Sequence, residues 1–368
     1  MARRKKKQQI VIPTKLLIAL IIIAVIIVVV CMCIPSVRQK VLEIASVYIG
    51  FEDENTSTNS PSGKEDKNKT DKINDGTEDC LAYVTIIDVD QGDAIYVLFP
   101  DGKDMLIDGG KGDKNEKAKL MTYLENTVTD GFIDYVFLTH TDKDHCGGLD
   151  DVFKTYDVGA VYMPYITASY GQENAAYIQG TCSTKTYYDF YTAATTETYV
   201  KDGQEYECEV NYNIGNFTIS GENYSFDVYG KEQSEYEAYY YKSSKLDPND
   251  YSPIVICEIY GVKICFTGDA HEGVEDDFIK NYKGDSDVDI LKVGHHGSKY
   301  SSDTDFLEFL SPEYALISVG AVNDYNHPNP EALQRLEQED ITVYRTDEKG
   351  DIKVKIYDGT FSFEFAGE

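Results

Sequence analysis

His140-Thr141-Asp142-Lys143-Asp144-His145 places two imidazoles and two carboxylates within six residues. The run follows an apolar, strand-like stretch, Tyr135-Val136-Phe137-Leu138-Thr139, and precedes Cys146-Gly147-Gly148. A strand that delivers His and Asp into a glycine-rich turn aims several nitrogen and oxygen donors at one point, which is what a divalent metal needs. The plainer reading is a charged surface loop with two incidental His. The remaining imidazoles argue against it. The chain has only six: His140, His145, His271, His295, His296 and His327. Five lie in short segments that stand out on other grounds, and none falls in the N-terminal region or the closing strands.

Upstream of this run, Tyr83 to Val89 reads as a strand and Asp90-Gln91-Gly92-Asp93 as a turn. Ala94 to Phe99 is a second strand, Pro100-Asp101-Gly102 a hairpin turn, and Met105-Leu106-Ile107-Asp108 a third strand ending in Gly109-Gly110. Lys114 to Asn126 is predicted helical. Downstream, residues from about 166 to 245 form a stretch rich in Tyr, Thr, Ser and Glu, expected to be an insertion with a few short strands. Its tyrosines offer stacking surfaces for bases or sugars. Order returns with strands over Ile254 to Tyr260 and Val262 to Thr267, the latter running into Gly268-Asp269. Asp276 to Tyr282 is helical, and Val288 to Val293 is a strand ending in Gly294-His295-His296-Gly297-Ser298. A helix (Asp303 to Leu310), a strand (Tyr314 to Val319), a helix opening at Pro330 and two or three closing strands complete the chain. Strands alternating with helices predict α/β layering.

Four strand ends repeat one logic of apolar run, polar residues and Gly: at Asp108, at His140 to His145, at Asp269, and at His295-His296. Loops over a rigid sheet gather residues distant in sequence. Any one of these ends alone would be a weak signal; four in order, each behind an apolar strand, make a strong one.

The N-terminus has a different character. The first 40 residues hold eight Lys or Arg and no acid, so a chain of net charge -30 carries -38 beyond them. Such charge opposes long-range attraction to nucleic acid or anionic lipid, within the roughly 8 Å reach that salt allows. Residues 1–15 read as a basic cytoplasmic tail and 16–34 as a transmembrane helix, since the apolar run suffices for a bilayer at about 1.5 Å per residue. The basic flank keeps that end inside and sends the rest outside the cell. No Ala-x-Ala-like site follows, and Val30 stands before Cys31 where a lipidated Cys needs a small residue, so an uncleaved anchor is expected. Residues 35–80 are a polar linker, disordered at least from Phe51 to Asp79, and 81–368 a single domain. Of the eight Cys, Cys257 and Cys265 read as core, Cys146 as packing, and Cys182 with Cys208 as a pair only in an oxidising compartment.

These motifs resemble the metallo-β-lactamase fold, and within it the extracellular hydrolase domain of ComEC-type competence proteins. The resemblance rests on Asp88-Val89-Asp90-Gln91-Gly92-Asp93-Ala94, Leu106 to Gly110, Thr139 to Gly148, Thr267-Gly268-Asp269-Ala270, Leu291 to Ser298, Asn326-His327-Pro328 and Val343 to Asp347. It implies an αββα sandwich, two face-to-face sheets with helices outside. The chain departs from the general pattern at several places. Asp142 stands where most of the fold has His, as in the competence-type subset. Asp90 replaces a Gly, and Lys292-Val293-Gly294 replaces a pattern that often has Pro before the paired His. A further His expected between the second and fourth motifs is absent, with Asn249, Asp250 and Ser252 nearest its place. The many membrane helices of a DNA-uptake channel are not present either.

The resemblance implies two divalent metal ions, Zn or Mn, because Asp in place of His hardens one site toward oxygen ligands. Asp144 and His145 would hold one metal, His140 and Asp142 the other. Asp269 would bridge them, and His295 or His296 would complete the site. Asp108 would orient a ligand from behind, and His327 would bind phosphate, protonate the leaving group or supply a missing ligand. His271 reads as rim. The implied function is a membrane-anchored, extracytoplasmic phosphodiesterase or nuclease, with a phosphodiester such as single-stranded DNA or RNA as substrate. Alternatives are a hydrolase of cell-envelope phosphoesters or small esters, and a non-catalytic metal- or partner-binding module. Asp142 points away from β-lactam cleavage. Protein partners and oligomeric state are not legible.

Overall fold

The computed structural model describes residues 80–164, 184–201, 203–212, 214–232 and 247–367. The basic tail, the 16–34 transmembrane segment, nearly all of the linker, Cys182 and parts of the 166–245 segment lie outside them. Among the described residues no helix is long and apolar enough to cross a membrane.

The first strands are β1 (Ala82–Ile86), β2 (Ile95–Leu98), β3 (Asp104–Ile107), β4 (Phe132–Phe137) and β5 (Asp157–Tyr162). Then come β6 (Thr198–Lys201), β7 (Gln204–Glu207), β8 (Glu209–Asn211), β9 (Phe217–Gly221) and β10 (Tyr224–Tyr229). The remainder are β11 (Ile254–Ile259), β12 (Val262–Phe266), β13 (Ile290–Lys292), β14 (Tyr314–Ile317), β15 (Thr342–Arg345), β16 (Ile352–Ile356) and β17 (Phe361–Phe365). One sheet runs β17-β16-β1-β2-β3-β4-β5-β8 and the other β15-β14-β13-β12-β11-β10-β9, while β6 and β7 form a separate ribbon. In each sheet an antiparallel part gives way to a parallel part, β3-β4-β5-β8 in the first and β12-β13-β14-β15 in the second.

Side-chain alternation explains the layering. Successive strand residues point to opposite faces. Val84, Ile86, Ile95, Val97, Met105 and Ile107 of the first sheet meet Val255, Cys257, Ile259, Val262, Ile264 and Phe266 of the second in one shared core. The intervening Tyr96, Leu106 and Val136 face helices α1 (Lys114–Thr127), α2 (Lys143–Cys146), α3 (Leu149–Thr155) and α4 (Lys185–Thr196). On the other side Ile254, Ile256, Cys265 and Leu291 face α5 (Glu272–Asn281), α6 (Thr304–Leu310) and α7 (Pro330–Gln338); a short α8 (Thr346–Lys349) follows β15. The α/β, αββα expectation holds for the described domain.

The segment read as an insertion with a few short strands holds, in its described parts, strands β6 to β10 and one helix. Its described parts supply α4, which buries Tyr187, Phe190 and Ala194, and β8 to β10, which extend both sheets. Strand β10 alternates buried and half-buried residues against all six residues of β11. Thr- and Tyr-rich composition masked a framework element, because sheet formation depends on the pleated face a residue finds more than on its own propensity. Helix α5 also starts earlier than predicted, at Glu272. Cys257 and Cys265 are buried free thiols, as expected, and Cys208 carries no disulfide.

Candidate metal centre

Every candidate ligand leaves the C-terminal end of a strand on the same edge of the sandwich. Asp108 follows β3, His140 to His145 follow β4, Asp269 follows β12, and His295 and His296 follow β13. The turns are sharp. Asp108, His295 and His296 all have positive φ, at 58°, 49° and 55°. Non-glycine residues are held in that region only where the surroundings over-determine it. Asp90 sits at φ 57°, which accounts for the Gly common at its place. Lys119 pairs with it and with Asp88 at 2.8 and 2.9 Å.

Asp269 lies at the centre. Its Oδ1 stands 3.2 Å from His145 Nε2 and 3.5 Å from His296 Nε2. Its Oδ2 stands 3.5 Å from His295 Nε2 and 3.8 Å from His140 Nε2. Asp144 Oδ2 lies 3.6 Å from His296 Nε2, and Asp142 Oδ2 3.9 Å from His140 Nε2. Asp144, His145, Asp269 and His296 each offer one atom, all within 4.8 Å of one another. Ligand atoms on a tetrahedron of about 2.1 Å radius stand roughly 3.4 Å apart, so these separations suit a shared cation. His295 and His296 are therefore not alternatives: each faces its own oxygen of Asp269, His295 on the side of His140 and Asp142.

The hydrogen bonds behind the rings fix their tautomers. His145 Nδ1 donates to Asp108 Oδ2 at 2.7 Å, and His296 Nδ1 to the Ser318 carbonyl at 2.9 Å. The Thr139 hydroxyl gives its proton to Asp108 Oδ2, so its oxygen receives that of His140 Nδ1 at 3.0 Å. His295 Nδ1 lies 3.1 Å from His271 Nε2, and His271 Nδ1 lies 3.5 Å from Asp250 Oδ1. The Nε2 lone pairs of His140, His145 and His296 are thus turned inward, as metal-binding imidazoles require.

His140 Nε2, His145 Nε2, His296 Nε2 and Asp269 Oδ1 are buried atoms without a hydrogen-bond partner. Leaving four such atoms together is unfavourable by about 1–3 kcal/mol each. Electrostatics agree. Burial lowers His145, yet Asp269 and Asp108 outweigh it and hold its pKa well above the ordinary value. His296 is likewise driven up to about 10 against its burial, by Asp269 and Asp93. Protons on these rings occupy the place of a cation. Burial and the neighbouring His145 push His140 down to about 3, leaving it neutral and free to ligate. The donor set, mixed imidazole and carboxylate, fits zinc or manganese.

Not every expected residue joins the cluster. His327 stays outside it, its ring 5.3 Å from His295 and 6.3 Å from His296. Ser252, nearest the absent His, lies 3.2 Å from His140 Nδ1 and accepts the Asp269 N–H, so it supports both ligands from behind. His271, read as rim, orients His295. Asp93 and Lys292 were quoted only as motif residues, with no role and no pairing assigned. They form a buried ion pair at 2.7 Å, and Asp93 Oδ1 lies 3.4 Å from His296 Nδ1. An apolar strand ending in a lysine, Ile290-Leu291-Lys292, was the one available signal.

Residues 87–180 match the family model of the Metallo-beta-lactamase superfamily. The fold and the cluster agree with that match, and members of this superfamily are generally metal-dependent hydrolases. The chain is also similar to competence proteins. It is 27% identical over 295 residues to "ComE operon protein 3" of Bacillus subtilis (strain 168), covering 76% of this chain and 34% of that protein. It is 35% identical over 105 residues to "Competence protein ComA" of Neisseria gonorrhoeae, covering 28% of this chain and 15% of that protein. The chain thus spans about a third or less of these relatives. Among solved structures it is similar to the metallo-beta-lactamase fold protein YhfI from Bacillus subtilis, with TM-score 0.42, 10% identity, and coverage of 72% of this chain and 95% of that one.

Proposed function

We propose that the chain is a two-metal phosphodiesterase of the competence type, acting on single-stranded DNA or RNA. The carrying observation is Asp269, whose two oxygens each face a separate pair of imidazoles. Two divalent cations there, zinc or manganese, would lower the pKa of a water and neutralise the oxygens of a phosphodiester. The chain's own groups do the rest. Asp108, Ser318 and Thr139 hold His145, His296 and His140 in the ligating tautomer. Burial, with His296 and His295 nearby, brings His327 down to about 4. At neutral pH it meets substrate as a neutral imidazole, able to donate or accept one hydrogen bond. We also propose that residues 16–34 anchor the chain in the cell membrane with the hydrolase domain outside, on the strength of their apolar run and basic flank.

The test is a substrate screen of the full-length chain beside Asp269→Asn, with Mn²⁺ or Zn²⁺. Single-stranded DNA, RNA and bis(p-nitrophenyl) phosphate are the substrates, and metal content is measured in parallel. Expected are about two metals per wild-type chain, fewer in the variant, and a drop in hydrolysis of at least ~100-fold. Equal rates in both proteins would sink the proposal. The strong negative charge favours the second reading, a hydrolase of cell-envelope phosphoesters or small esters, because long nucleic acid strands are bound through basic tracks. Cleavage of the small diester with none of either nucleic acid would select it. Metal bound without any turnover would select the non-catalytic module.

A further inference from the structure

Five aromatic rings form a chain of neighbours that passes through the metal cluster at His295. Tyr300 meets His271 at 6.5 Å between centroids, and His271 stacks on His295 at 5.2 Å. His295 meets His327 at 5.3 Å, and His327 stacks on Tyr325 at 5.6 Å. All four spacings fall within the range of interacting aromatic pairs. This series is centred on His295, a candidate ligand, and ends in a tyrosine on each side.

Both end rings are open to solvent. Tyr300 is 62% exposed and Tyr325 61%, and with Val322 they make three of the six large apolar or aromatic side chains exposed among the described residues. The other three, Leu81, Val200 and Tyr206, lie at the domain's start or on the β6–β7 ribbon.

The loops that carry these rings are fixed. Asn323 donates to the carbonyls of Gly320 and His327 and accepts from the N–H groups of Tyr325 and His327, so one side chain ties the whole turn. The Tyr300 loop is held by Arg335, which donates to the Ser301 and Ser302 carbonyls at 2.7 and 2.8 Å, and by the buried Glu275, which accepts the Ser302 and Asp303 N–H groups. A rigid, exposed ring loses little entropy on taking a flat partner. One end also has a lysine in a strongly acidic chain: Lys299 lies over the Tyr300 ring at 5.1 Å.

We propose that Tyr325 and Tyr300 are stacking platforms on the two sides of the reacting phosphodiester, which makes the substrate a single strand bearing a base on each side of the cleaved bond. The inference rests on the phosphodiesterase reading and narrows it. A base can stack on each tyrosine while a phosphate adjoining Tyr300 meets Lys299. Stacking of this kind tolerates any base sequence and needs no long basic track. That meets the objection raised by the net charge.

The test is equilibrium binding of the full-length, metal-loaded chain to phosphorothioate oligothymidylate, which resists cleavage, and to an abasic phosphorothioate strand of equal length. Wild type should bind the base-bearing strand about tenfold or more tightly than the abasic one. Tyr325→Ala and Tyr300→Ala should each weaken binding of the first about tenfold and leave the second unchanged, with Tyr325→Phe close to wild type. The chain has no Trp, so Tyr325→Trp adds a single reporter whose emission should be quenched by the base-bearing strand alone. Equal binding of the two strands by wild type, or alanine variants that bind both as wild type does, would overturn the proposal. Cleavage of ordinary oligothymidylate is measured separately. Cleavage without base preference removes the platforms and leaves the phosphodiesterase; preference without cleavage removes the phosphodiesterase and leaves the platforms.

Discussion

Asp108 receives three hydrogen bonds while fully buried, from the Thr139 N–H, the Thr139 hydroxyl and His145 Nδ1, at 2.8, 2.8 and 2.7 Å. Burial raises its pKa and His145 opposes the rise. Only an acceptor at Oδ2 keeps the proton of His145 on Nδ1 and the lone pair on Nε2. Asp108→Asn can turn an amide N–H toward that nitrogen, which moves the imidazole proton to Nε2 and points it at Asp269. The expected result is a folded protein with a 10–100-fold loss of metal affinity, read by competition with a chromophoric chelator. Unchanged affinity would deny Asp108 its orienting role. The sequence offered Asp108 as a strand end before two glycines, and the family resemblance implied its orienting role. Neither pointed to the role of His271. Its contact with His295 spans 24 residues and depends on how two strand-end turns meet, and no local pattern encodes that.

At the scale of elements, alternation was the reliable signal. Strands β1 to β4 and β11 to β14 were legible because apolar runs punctuated by Gly and Asp leave few other readings. Helix α4 and strands β8 to β10 were not, because their Tyr and Thr residues are amphipathic and take sides only once a sheet is present. Polar pairing between neighbouring strands was equally hidden. Asp104 opens β3 and Asp134 lies on β4, and each accepts the other's backbone N–H; Asp104 also accepts the Tyr96 hydroxyl at 2.7 Å. Burial raises Asp104 to about 6, above its usual 3.8, against those hydrogen bonds and with Asp134 adding to the rise. A carboxyl whose folded pKa is raised binds its proton more tightly in the folded state. Its stabilising contribution is complete below about pH 3.8 and is lost as pH rises through about 6, an effect on the order of 2–3 kcal/mol. Wild type is therefore expected to lose Tm between about pH 4 and 7, and Asp104→Asn to flatten that fall. Parallel Tm profiles of the two proteins would exclude Asp104 as its source.

Across the whole molecule, the two sheets meet through an apolar core except beneath the metal centre. There Lys292, at the end of β13, reaches Asp93, just before β2, across 199 residues of sequence. Both are almost wholly buried, and Lys292 also donates to the Val293 carbonyl at 3.0 Å. Burial alone would raise Asp93; Lys292 and His296 together hold it ionised, well below the usual range. A buried pair adds little over an apolar contact of the same shape, but breaking one partner strands the other's charge. Lys292→Met should thus lower the unfolding free energy by about 3–5 kcal/mol in urea at neutral pH, followed by far-ultraviolet circular dichroism. Adding Asp93→Asn should restore a large part of that loss, because no buried charge is then left alone, so the two changes should couple strongly rather than add. The metal centre supplies the second readout. An unpaired Asp93 beside His296 Nδ1, at 3.4 Å, competes with the Ser318 carbonyl for the ring's proton and adds negative charge behind a ligand. The single variant should then hold a cation differently from the double variant even at temperatures where both are folded. Purely additive losses would mean that the sheets do not depend on this pair, and that Lys292 serves only to fill space under the cluster.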